Sequence, residues 1–307
     1  MSLNGFLIVD KPKGMTSHDV VNRVRRITGQ RKAGHTGTLD PNATGVLVIA
    51  LGEATKLIPY LENDDKSYRA EILFGTETDS CDITGTPVKE LDSFSLDETQ
   101  LDKVLPQFTG EIMQTPPVYS ALKVNGRKLY EYARAGQQVE IKARPVTIYA
   151  IRTAADNLPL KVTLDVDCSK GTYIRSLARD IGESLGIPAC LGELRRTRAG
   201  AFDEDAAVTL DALENGSLDA ENLLVSGSSA LSGIPEVRVS HEGERFLKNG
   251  NLLRGQWLAD IPDNAEEGDP VRIRIEGNTG MAGIGKIGRD QSGNPAVQPV
   301  RVFQEGI

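Results

Sequence analysis

The chain of 307 residues is 39% hydrophobic and 25% charged, and its formal net charge is −8 at pH 7. This length predicts two domains, and the composition is typical of a globular protein with a sizeable core. The longest apolar run, 46–51, is far too short to cross a bilayer, and the N-terminus lacks the basic start and long apolar stretch of a secretion signal. We therefore expect a cytoplasmic protein without a membrane segment.

The chain contains three cysteines and three histidines. The cysteines are scattered and none is spaced as C-x-x-C, which argues against a disulfide framework and against a zinc site. No two histidines are close in the sequence, which argues against a histidine-rich metal centre. We expect no bound metal, so any chemistry must come from other residue types.

Charge is unevenly distributed along the chain. Residues 1–60 carry 8 Lys/Arg against 4 Asp/Glu, and residues 120–200 carry 14 against 8. Acidic residues dominate 61–119, with 13 against 4, and 201–233, with 7 against none. The two basic segments could form one face for phosphates, with the acidic residues facing elsewhere. Ordinary solvated surfaces with a chance asymmetry explain these charges equally well.

In chain order, the apolar run 6–9 predicts a strand, which ends at the turn residues of DKPKG (10–14) and leaves Lys11 and Lys13 projecting. A helix should follow, with Thr16 or Ser17 as N-cap and Gly29 at its end. Its three arginines lie largely off the apolar stripe. A buried strand, a short helix and an alternating strand are predicted next, at 46–51, 52–61 and 66–75.

Residues 119–144 are rich in Lys, Arg and Tyr and show weak periodicity, so we interpret them as an excursion from the core. Alternation at 162–168 predicts a strand, and an apolar stripe predicts a helix that Gly186 and Pro188 close. The Ser/Gly-rich stretch 215–235 predicts a domain boundary. The tail beyond it, with alternating VRIRI and many glycines, indicates a small β domain.

One carboxylate, Asp40, lies within a run of small turn-forming residues, GHTGTLDPNATGVL (34–47). Local sequence favours a turn or a helix cap, because Asp followed by Pro is typical of a helix start. A phosphate-binding loop is a second interpretation, but the lysine of that motif is missing and the segment follows a helix instead of a strand. The third is a reactive carboxylate, since aspartate can attack a substrate without a metal. Local spacing leaves these alternatives open.

Several separated motifs bear on that choice. The chain resembles the TruB type of bacterial tRNA pseudouridine-55 synthases over most of residues 5–200. The resemblance is carried by DKPKGMTSHDVVNRVRR (10–26), GHTGTLDPNATGVLVIALGEATKL (34–57), KSYRA (66–70), GTETDSCDITG (75–85), YSALKVNGRKLYEYAR (119–134), SKGTYIRSLARDIGE (169–183) and LRR (194–196). Seven matches in family order are a highly specific signal.

The resemblance implies a role for particular residues, and it implies no cofactor. Asp40 corresponds to the nucleophile, although the sequence leaves open whether it attacks the ribose or the uracil ring. Tyr68 corresponds to a tyrosine that stacks on the uracil and helps to remove its C5 proton, and Arg175 to an arginine that pairs with the catalytic carboxylate. The remaining substrate-binding positions, which line the base pocket or enter the space left by the flipped base, are Tyr173, Leu194 and His35.

Each of these residues also has an ordinary structural interpretation. Without the family, Tyr68 would be a core aromatic of its strand, and Arg175 would lie on a solvated helix face. Tyr173 and Leu194 could be plain core, and a lone histidine is most often structural. To Asp79 and Asp82, which match an acidic motif of the family, we assign a structural role only.

The implied substrate is the T-arm stem-loop of tRNA, with the chain acting as a monomer on uridine 55. Basic residues of the first helix, the first turn and the excursion are then predicted contacts for the RNA backbone. We name six of them: Lys11, Lys13, Arg23, Lys123, Arg127 and Lys128. A non-catalytic tRNA-binding or folding factor that uses the same surface is the main alternative, and a guide-dependent enzyme of the dyskerin type is the second.

The predicted fold class is α+β. Residues 1–230 are expected to form a pseudouridine synthase catalytic fold with a mixed, mainly antiparallel sheet. Within it, 119–144 resembles the family's thumb-like RNA-binding insertion. Residues 231–307 are expected to form a small PUA-like β domain, although the acidic residues before it make an RNA contact by this domain doubtful.

Overall fold

A computed structural model describes residues 3–62, 64–120, 122–124, 126–137, 139–262, 265–303 and 306–307. Within these residues the chain forms eight α-helices and twenty strands. The helices are α1 Ser17–Thr28, α2 Ile58–Leu61, α3 Glu98–Val104, α4 Leu129–Arg134, α5 Ile174–Leu185, α6 Leu210–Glu214, α7 Gly227–Ala230 and α8 His241–Lys248. None of the described helices is long and apolar enough to cross a membrane.

The strands fall into two large sheets and two hairpins. The first fourteen are β1 Gly5–Lys11, β2 Ala33–His35, β3 Thr44–Leu51, β4 Lys66–Phe74, β5 Thr76–Thr78, β6 Pro87–Glu90, β7 Gly110–Gln114, β8 Lys123–Val124, β9 Arg127–Lys128, β10 Arg144–Asn157, β11 Lys161–Cys168, β12 Ala189–Ala199, β13 Phe202–Asp203 and β14 Val208–Thr209. The last six are β15 Glu236–Val239, β16 Leu253–Arg254, β17 Leu258–Ala259, β18 Pro270–Ile275, β19 Met281–Arg289 and β20 Pro295–Val302.

The larger sheet has ten strands, with the order β14-β1-β3-β12-β4-β11-β10-β7, and β2 and β13 pair with β3 and β12. Pairing is parallel between β1 and β14 and between β3 and β12, and antiparallel elsewhere in this sheet. The predicted fold class, α+β with a mixed and mainly antiparallel sheet, is confirmed. The strands alternate buried and half-buried positions where one face is covered by helices, as in β11.

Two helices on this sheet begin and end where the sequence predicts. In α1, Thr16 is the N-cap and forms a reciprocal capping box with Asp19, and Gly29 ends the helix in the left-handed region at φ 66°. In α5, Gly186 ends the helix at φ 71°. The apolar stripe of α1 packs with strands β1 and β3, and that of α5 packs with β4 and β11.

The parallel contact between β3 and β12 is unusually close at Gly45. This residue has φ +97°, and a Cβ placed on it would lie 2.2 Å from the carbonyl oxygen of Arg196. Only glycine combines that backbone conformation with that approach. The contact brings the start of β3, which follows the Asp40 segment, against the part of β12 that carries Leu194 and Arg196.

The second large sheet has six strands in the order β16-β20-β19-β18-β15-β17 and forms the predicted C-terminal β domain. One apolar cluster fills its interior, but a second cluster is shared with the larger sheet. In the shared cluster Met281, Ile284 and Phe303 pack with Phe6 and Val46. The two sheets therefore have a common core, which also includes residues at the predicted boundary near 230. That boundary itself stays a prediction.

The excursion predicted at 119–144 contains a short hairpin, β8–β9, and helix α4. Among the described residues, these two strands pair only with each other. Residues 121, 125 and 138 of this segment lie outside the described part of the chain. The arrangement supports the interpretation of 119–144 as an insertion that leaves the main sheet.

Candidate active site

A cavity of about 610 Å³ opens on the larger sheet where several distant segments of the chain meet. A cavity of this volume is within the usual range for a small-molecule or nucleotide site. Most of its walls come from the loop 36–40, from β4, from the segment before and at the start of α5, and from β12, and further lining residues are Tyr119, Ser120, Leu122 and Arg144. The lining residues that the sequence predicted are Asp40, Tyr68, Tyr173, Arg175 and Leu194.

Asp40 lies in a tight turn between β2 and β3. The amide of Ala43 donates to the carbonyl of Asp40 over 3.1 Å, which closes the turn. On the other side, the Ser17 hydroxyl accepts a hydrogen bond from the Leu39 amide at 2.8 Å and donates to the Leu39 carbonyl at 3.0 Å. The turn predicted from Asp-Pro is therefore present, but strand β3 follows it instead of a helix, and the carboxylate caps no helix.

Lys11 is buried beneath this turn. Its ammonium donates to the carbonyls of Pro12, Pro41 and Ala43 at 2.9, 3.1 and 2.7 Å, and the residue has no exposed surface. Burial lowers the pKa of Lys11 to about 8, an effect that the nearby Asp40 carboxylate opposes. The prediction that Lys11 projects toward an RNA backbone is wrong, because the DKPKG turn folds this side chain under the loop that it supports.

Arg175 binds the Asp40 carboxylate directly, with 3.0 Å between Nε and Oδ2. The guanidinium is buried, and its remaining nitrogens donate to the carbonyls of Ser80, at 3.2 Å, and Tyr119, at 2.9 Å. A second carboxylate, Asp82, lies 3.5 Å from Nη1. Arg175 is therefore fixed from several sides, and it in turn orients Asp40.

Burial raises the pKa of the Asp40 carboxyl above its ordinary value, against the opposing effect of Arg175, and the charge of Asp82 adds to the increase. The side chain nevertheless remains 44% exposed to the cavity. A carboxylate in this environment is accessible, aimed by an arginine and more basic than an ordinary aspartate. These are the properties expected of a nucleophile or a base.

Two tyrosines form aromatic walls of the cavity. Tyr68 lies on β4, and burial raises the pKa of its phenol, so the hydroxyl is protonated at neutral pH. Tyr173 precedes α5, and the guanidinium of Arg144 lies 5.0 Å from its ring centroid. Leu194 adds an apolar wall from β12. Two rings, a leucine and a carboxylate suit a planar base that carries polar edges.

His35 is not among the residues that line the cavity in the described part of the chain. It lies on β2 opposite Ile49, and its Nδ1 has no hydrogen-bond partner among the described residues. Burial lowers the pKa of this imidazole, so it is neutral at physiological pH. Its neighbour Thr36 does reach the cavity wall. The predicted role of His35 stays a prediction.

Lys13 and Arg23, the other two predicted RNA contacts of the first turn and helix, are engaged in ion pairs. Lys13 lies 2.5 Å from Glu193, and both side chains are more than half exposed. Arg23 contacts Glu214 and Asp211 at 2.5 and 3.0 Å. The acidic segment after residue 200 therefore neutralises part of the basic segment, and RNA would have to compete with these surface pairs, each of which contributes little to stability.

In the excursion, the predicted RNA-contact residues lie on the hairpin and beside α4. Lys123 is exposed on β8 and pairs across the hairpin with Lys128. The Arg127 guanidinium lies 4.8 Å from the ring centroid of Tyr132. This basic hairpin follows the cavity residues Tyr119, Ser120 and Leu122 in the chain.

Sequence reasoning missed three residues that shape the site. Gln114, almost fully buried, donates to the Tyr173 carbonyl at 3.1 Å and accepts from its amide at 2.8 Å. Arg196, which belongs to the LRR match but was given no role, lines the cavity as a buried cation. Asp82 was assigned a structural role, yet it contacts Arg175. Only for Arg196 and Asp82 did a motif offer a signal.

Comparisons with known proteins identify the family of the chain. The sequence profile of the TruB family pseudouridylate synthase N-terminal domain matches residues 25–174, and that of the tRNA pseudouridylate synthase B C-terminal domain matches residues 175–226. A tRNA pseudouridine synthase B of Syntrophotalea carbinolica is 42% identical over 305 residues, with 99% of each chain covered. One of Geobacter sulfurreducens is 45% identical over 276 residues, with 89% of each covered.

Solved structures with the same fold come from RNA–protein particles. A chain in an H/ACA RNP bound to a substrate RNA containing 2′-deoxyuridine has a TM-score of 0.74 and 26% identity, covering 98% of this chain and 85% of that one. A chain in the archaeal box H/ACA sRNP Nop10–Cbf5 complex has a TM-score of 0.75 and 26% identity, with 98% and 86% covered. Fold and site together define a pseudouridylate synthase, an isomerase. Within that class the chain belongs to the TruB family.

Proposed function

We propose that this enzyme converts uridine 55 in the T loop of tRNA to pseudouridine, with Asp40 as the nucleophile. The observation that carries the proposal is the Asp40–Arg175 pair at 3.0 Å, in which an accessible carboxylate is aimed into a cavity walled by Tyr68 and Tyr173. The relatives from S. carbinolica and G. sulfurreducens, which are named tRNA pseudouridine synthase B, support tRNA as the substrate.

The target uridine has to leave its stack to reach Asp40, because the carboxylate lies at the wall of a concave cavity. Flipping costs a few kcal/mol, which stacking of the base in the cavity offsets in part. The aromatic walls at Tyr68 and Tyr173 and the apolar wall at Leu194 provide surfaces for that base. Exposed basic residues of the hairpin, such as Lys123, would then contact the backbone of the T-arm.

In the reaction the bond between ribose C1′ and uracil N1 breaks, and a bond between C1′ and C5 forms. C5 loses a proton and N1 gains one, so the product is an isomer and no co-reactant is consumed. Covalent attachment of Asp40 to the nucleotide would hold the fragments together while the base rotates. Arg175 keeps the carboxylate ionised and oriented, and Tyr68 lies on β4 at the position proposed to assist removal of the C5 proton.

The substitution Asp40→Asn distinguishes the enzyme from the alternative, a tRNA-binding factor that catalyses no reaction. This substitution keeps the size of the side chain and removes the nucleophilic oxygen charge. We expect loss of pseudouridine formation in a T-arm stem-loop by about 10⁵-fold, as for removal of a covalent nucleophile. Binding of the same stem-loop should be retained. The absence of pseudouridine with the unaltered enzyme would contradict the proposed function itself.

We further propose that the enzyme acts as a monomer in the cytoplasm, where tRNA is available. The monomer is tested by sedimentation of the protein alone and with one stem-loop. A stable dimer that binds one RNA would contradict it.

A further inference from the structure

Arg196 is a second buried arginine of the cavity, and its environment differs from that of Arg175. It is 2% exposed and ranks among the largest fully buried side chains of the described residues. Its Nε donates to the Val46 carbonyl at 2.7 Å, and its Nη2 donates to the Gly37 carbonyl at 3.2 Å. Among the described residues, no carboxylate forms an ion pair with this guanidinium within 4.0 Å.

A buried charge without an ionic partner costs free energy, so a purely structural role would be better served by an apolar side chain. Two nearby ammonium groups increase that cost. Arg196 contributes to lowering the pKa of Lys11 and of Lys66, so it lies near two other cationic side chains, and it also lowers the pKa of the neutral His35 imidazole. Residues that lower the stability of a fold in this way are concentrated at functional sites.

Three observations connect Arg196 to the machinery of the site. It is the direct cross-strand partner of Tyr68 in the β12–β4 register, so both side chains lie on one face of the sheet. Through Gly37 it holds the loop that leads to Asp40, and both Arg196 and Tyr68 line the cavity. Its guanidinium also opposes the burial that raises the pKa of the Tyr68 phenol.

We propose that Arg196 is a positioning residue of the active site, which fixes the Tyr68 hydroxyl relative to the Asp40 loop and supplies positive charge beside the phenol oxygen. This inference rests on the proposed function for its catalytic consequence, but the contact between Arg196 and Tyr68 can be tested without catalysis. Arg196 touches no reacting atom in this scheme. It acts through Tyr68 and through the Gly37 carbonyl.

The test replaces the tyrosines of the full-length protein by fluorinated tyrosine and follows their titration by ¹⁹F NMR, with Tyr68→Phe to assign the Tyr68 signal. In Arg196→Gln the Tyr68 midpoint should move to higher pH by at least about one pH unit, because a nearby positive charge is lost. On a T-arm stem-loop, kcat should fall by about 10- to 100-fold with KM little changed. Arg196→Lys, which keeps the charge but cannot donate in the same fork, should give an intermediate midpoint and a reduced kcat.

Arg195→Gln is the matched control, since this neighbouring arginine on β12 pairs with Asp10 and Glu204 instead. It should leave the Tyr68 midpoint unchanged. An unshifted midpoint in a folded Arg196→Gln protein would overturn the proposal. If that variant does not fold, a wild-type midpoint and kcat in Arg196→Lys would overturn it. If the enzyme makes no pseudouridine, the proposed function fails, while the ¹⁹F titration still decides the contact between Arg196 and Tyr68.

Discussion

The cavity has two buried arginines, one on helix α5 and one on strand β12, and their charges are balanced in different ways. Arg175 contacts the carboxylates of Asp40 and Asp82, whereas Arg196 donates to the backbone carbonyls of Val46 and Gly37. The first arrangement stabilises an anion that can react. We propose that the second holds the loop that leads to Asp40 and leaves a positive charge available to a neighbouring group. Two arginines in one cavity would then have different functions.

Removing the arginine that is balanced by carboxylates should have the largest effect. In Arg175→Met, Asp40 loses the group that orients it, and we expect kcat/KM to fall by about 10³-fold. Loss of stability should be about 2 kcal/mol, less than for a fully buried pair, because Asp40 remains exposed to the cavity. Arg179→Met on the same helix is the control and should stay within about threefold of the wild-type rate. Equal losses in both variants would contradict a specific role for Arg175.

The pH dependence of kcat/KM should report the pKa of Asp40 and the effect of Arg175 on it. Since burial raises the pKa of Asp40, the acid limb of kcat/KM should lie above the ordinary aspartate value of 3.8. In Arg175→Met this limb should move to still higher pH, because the main opposing charge is lost. An acid limb that is the same in both proteins would show that another group controls it.

The raised pKa of Asp40 also makes the stability of the protein depend on pH. A folded-state pKa above the unfolded value means that the ionised form of Asp40 is disfavoured by folding, so its contribution to stability is lost as pH rises through the folded pKa. Asp40→Asn should therefore melt at a higher temperature than the wild type at pH 8, and this difference should shrink at about pH 4, close to the ordinary aspartate value of 3.8. Thermal melts at the two pH values measure it.

Gln114→Leu tests an uncharged residue of the site, whose side chain holds the backbone of Tyr173 by hydrogen bonds. The substitution removes two hydrogen bonds to Tyr173, each contributing about 1 kcal/mol, and should lower kcat/KM by about 10-fold. Met113→Gln, at an exposed position on the same strand, should leave it unchanged. Comparable rates for the two variants would mean that Tyr173 needs no such anchor.

Ile284→Ala should have the smallest effect on catalysis and a clear effect on stability. The side chain is fully buried in the core shared by the two sheets, so the free energy of unfolding should fall by about 3 kcal/mol. The rate measured well below the melting temperature should change little. One cooperative transition is expected in calorimetry, whereas two separate transitions, with only one shifted, would show that the sheets fold independently.

The sequence predicted those parts of the molecule that depend on local signals. Thr16 and Gly29 begin and end α1, as expected for an N-cap threonine and a C-terminal glycine. The burial patterns of β4 and β11 follow from the spacing of their apolar residues. Asp40, Tyr68 and Arg175 were expected together on the strength of the resemblance, and the fold brings all three to one cavity.

What sequence could not predict depends on contacts between distant segments. Lys11 was expected at the surface, because nothing in DKPKG reveals that the carbonyls of Pro41 and Ala43 lie above it. Gln114 gave no signal, since its partner is 59 positions away and is a backbone group. The role of Arg196 depends in the same way on the register between β12 and β4.

The close contact at Gly45 limits which substitutions the protein can accept at this position during evolution. A side chain there would collide with the backbone of Arg196 and strain φ at the same time, so no compensating change on β12 can relieve it cheaply. In a library that samples all amino acids, position 45 should return glycine almost alone, while Gly288, with open space around it, should accept many types. The spacing between β3 and β12 at the cavity is therefore fixed by the backbone itself, independently of the side chains that line the site.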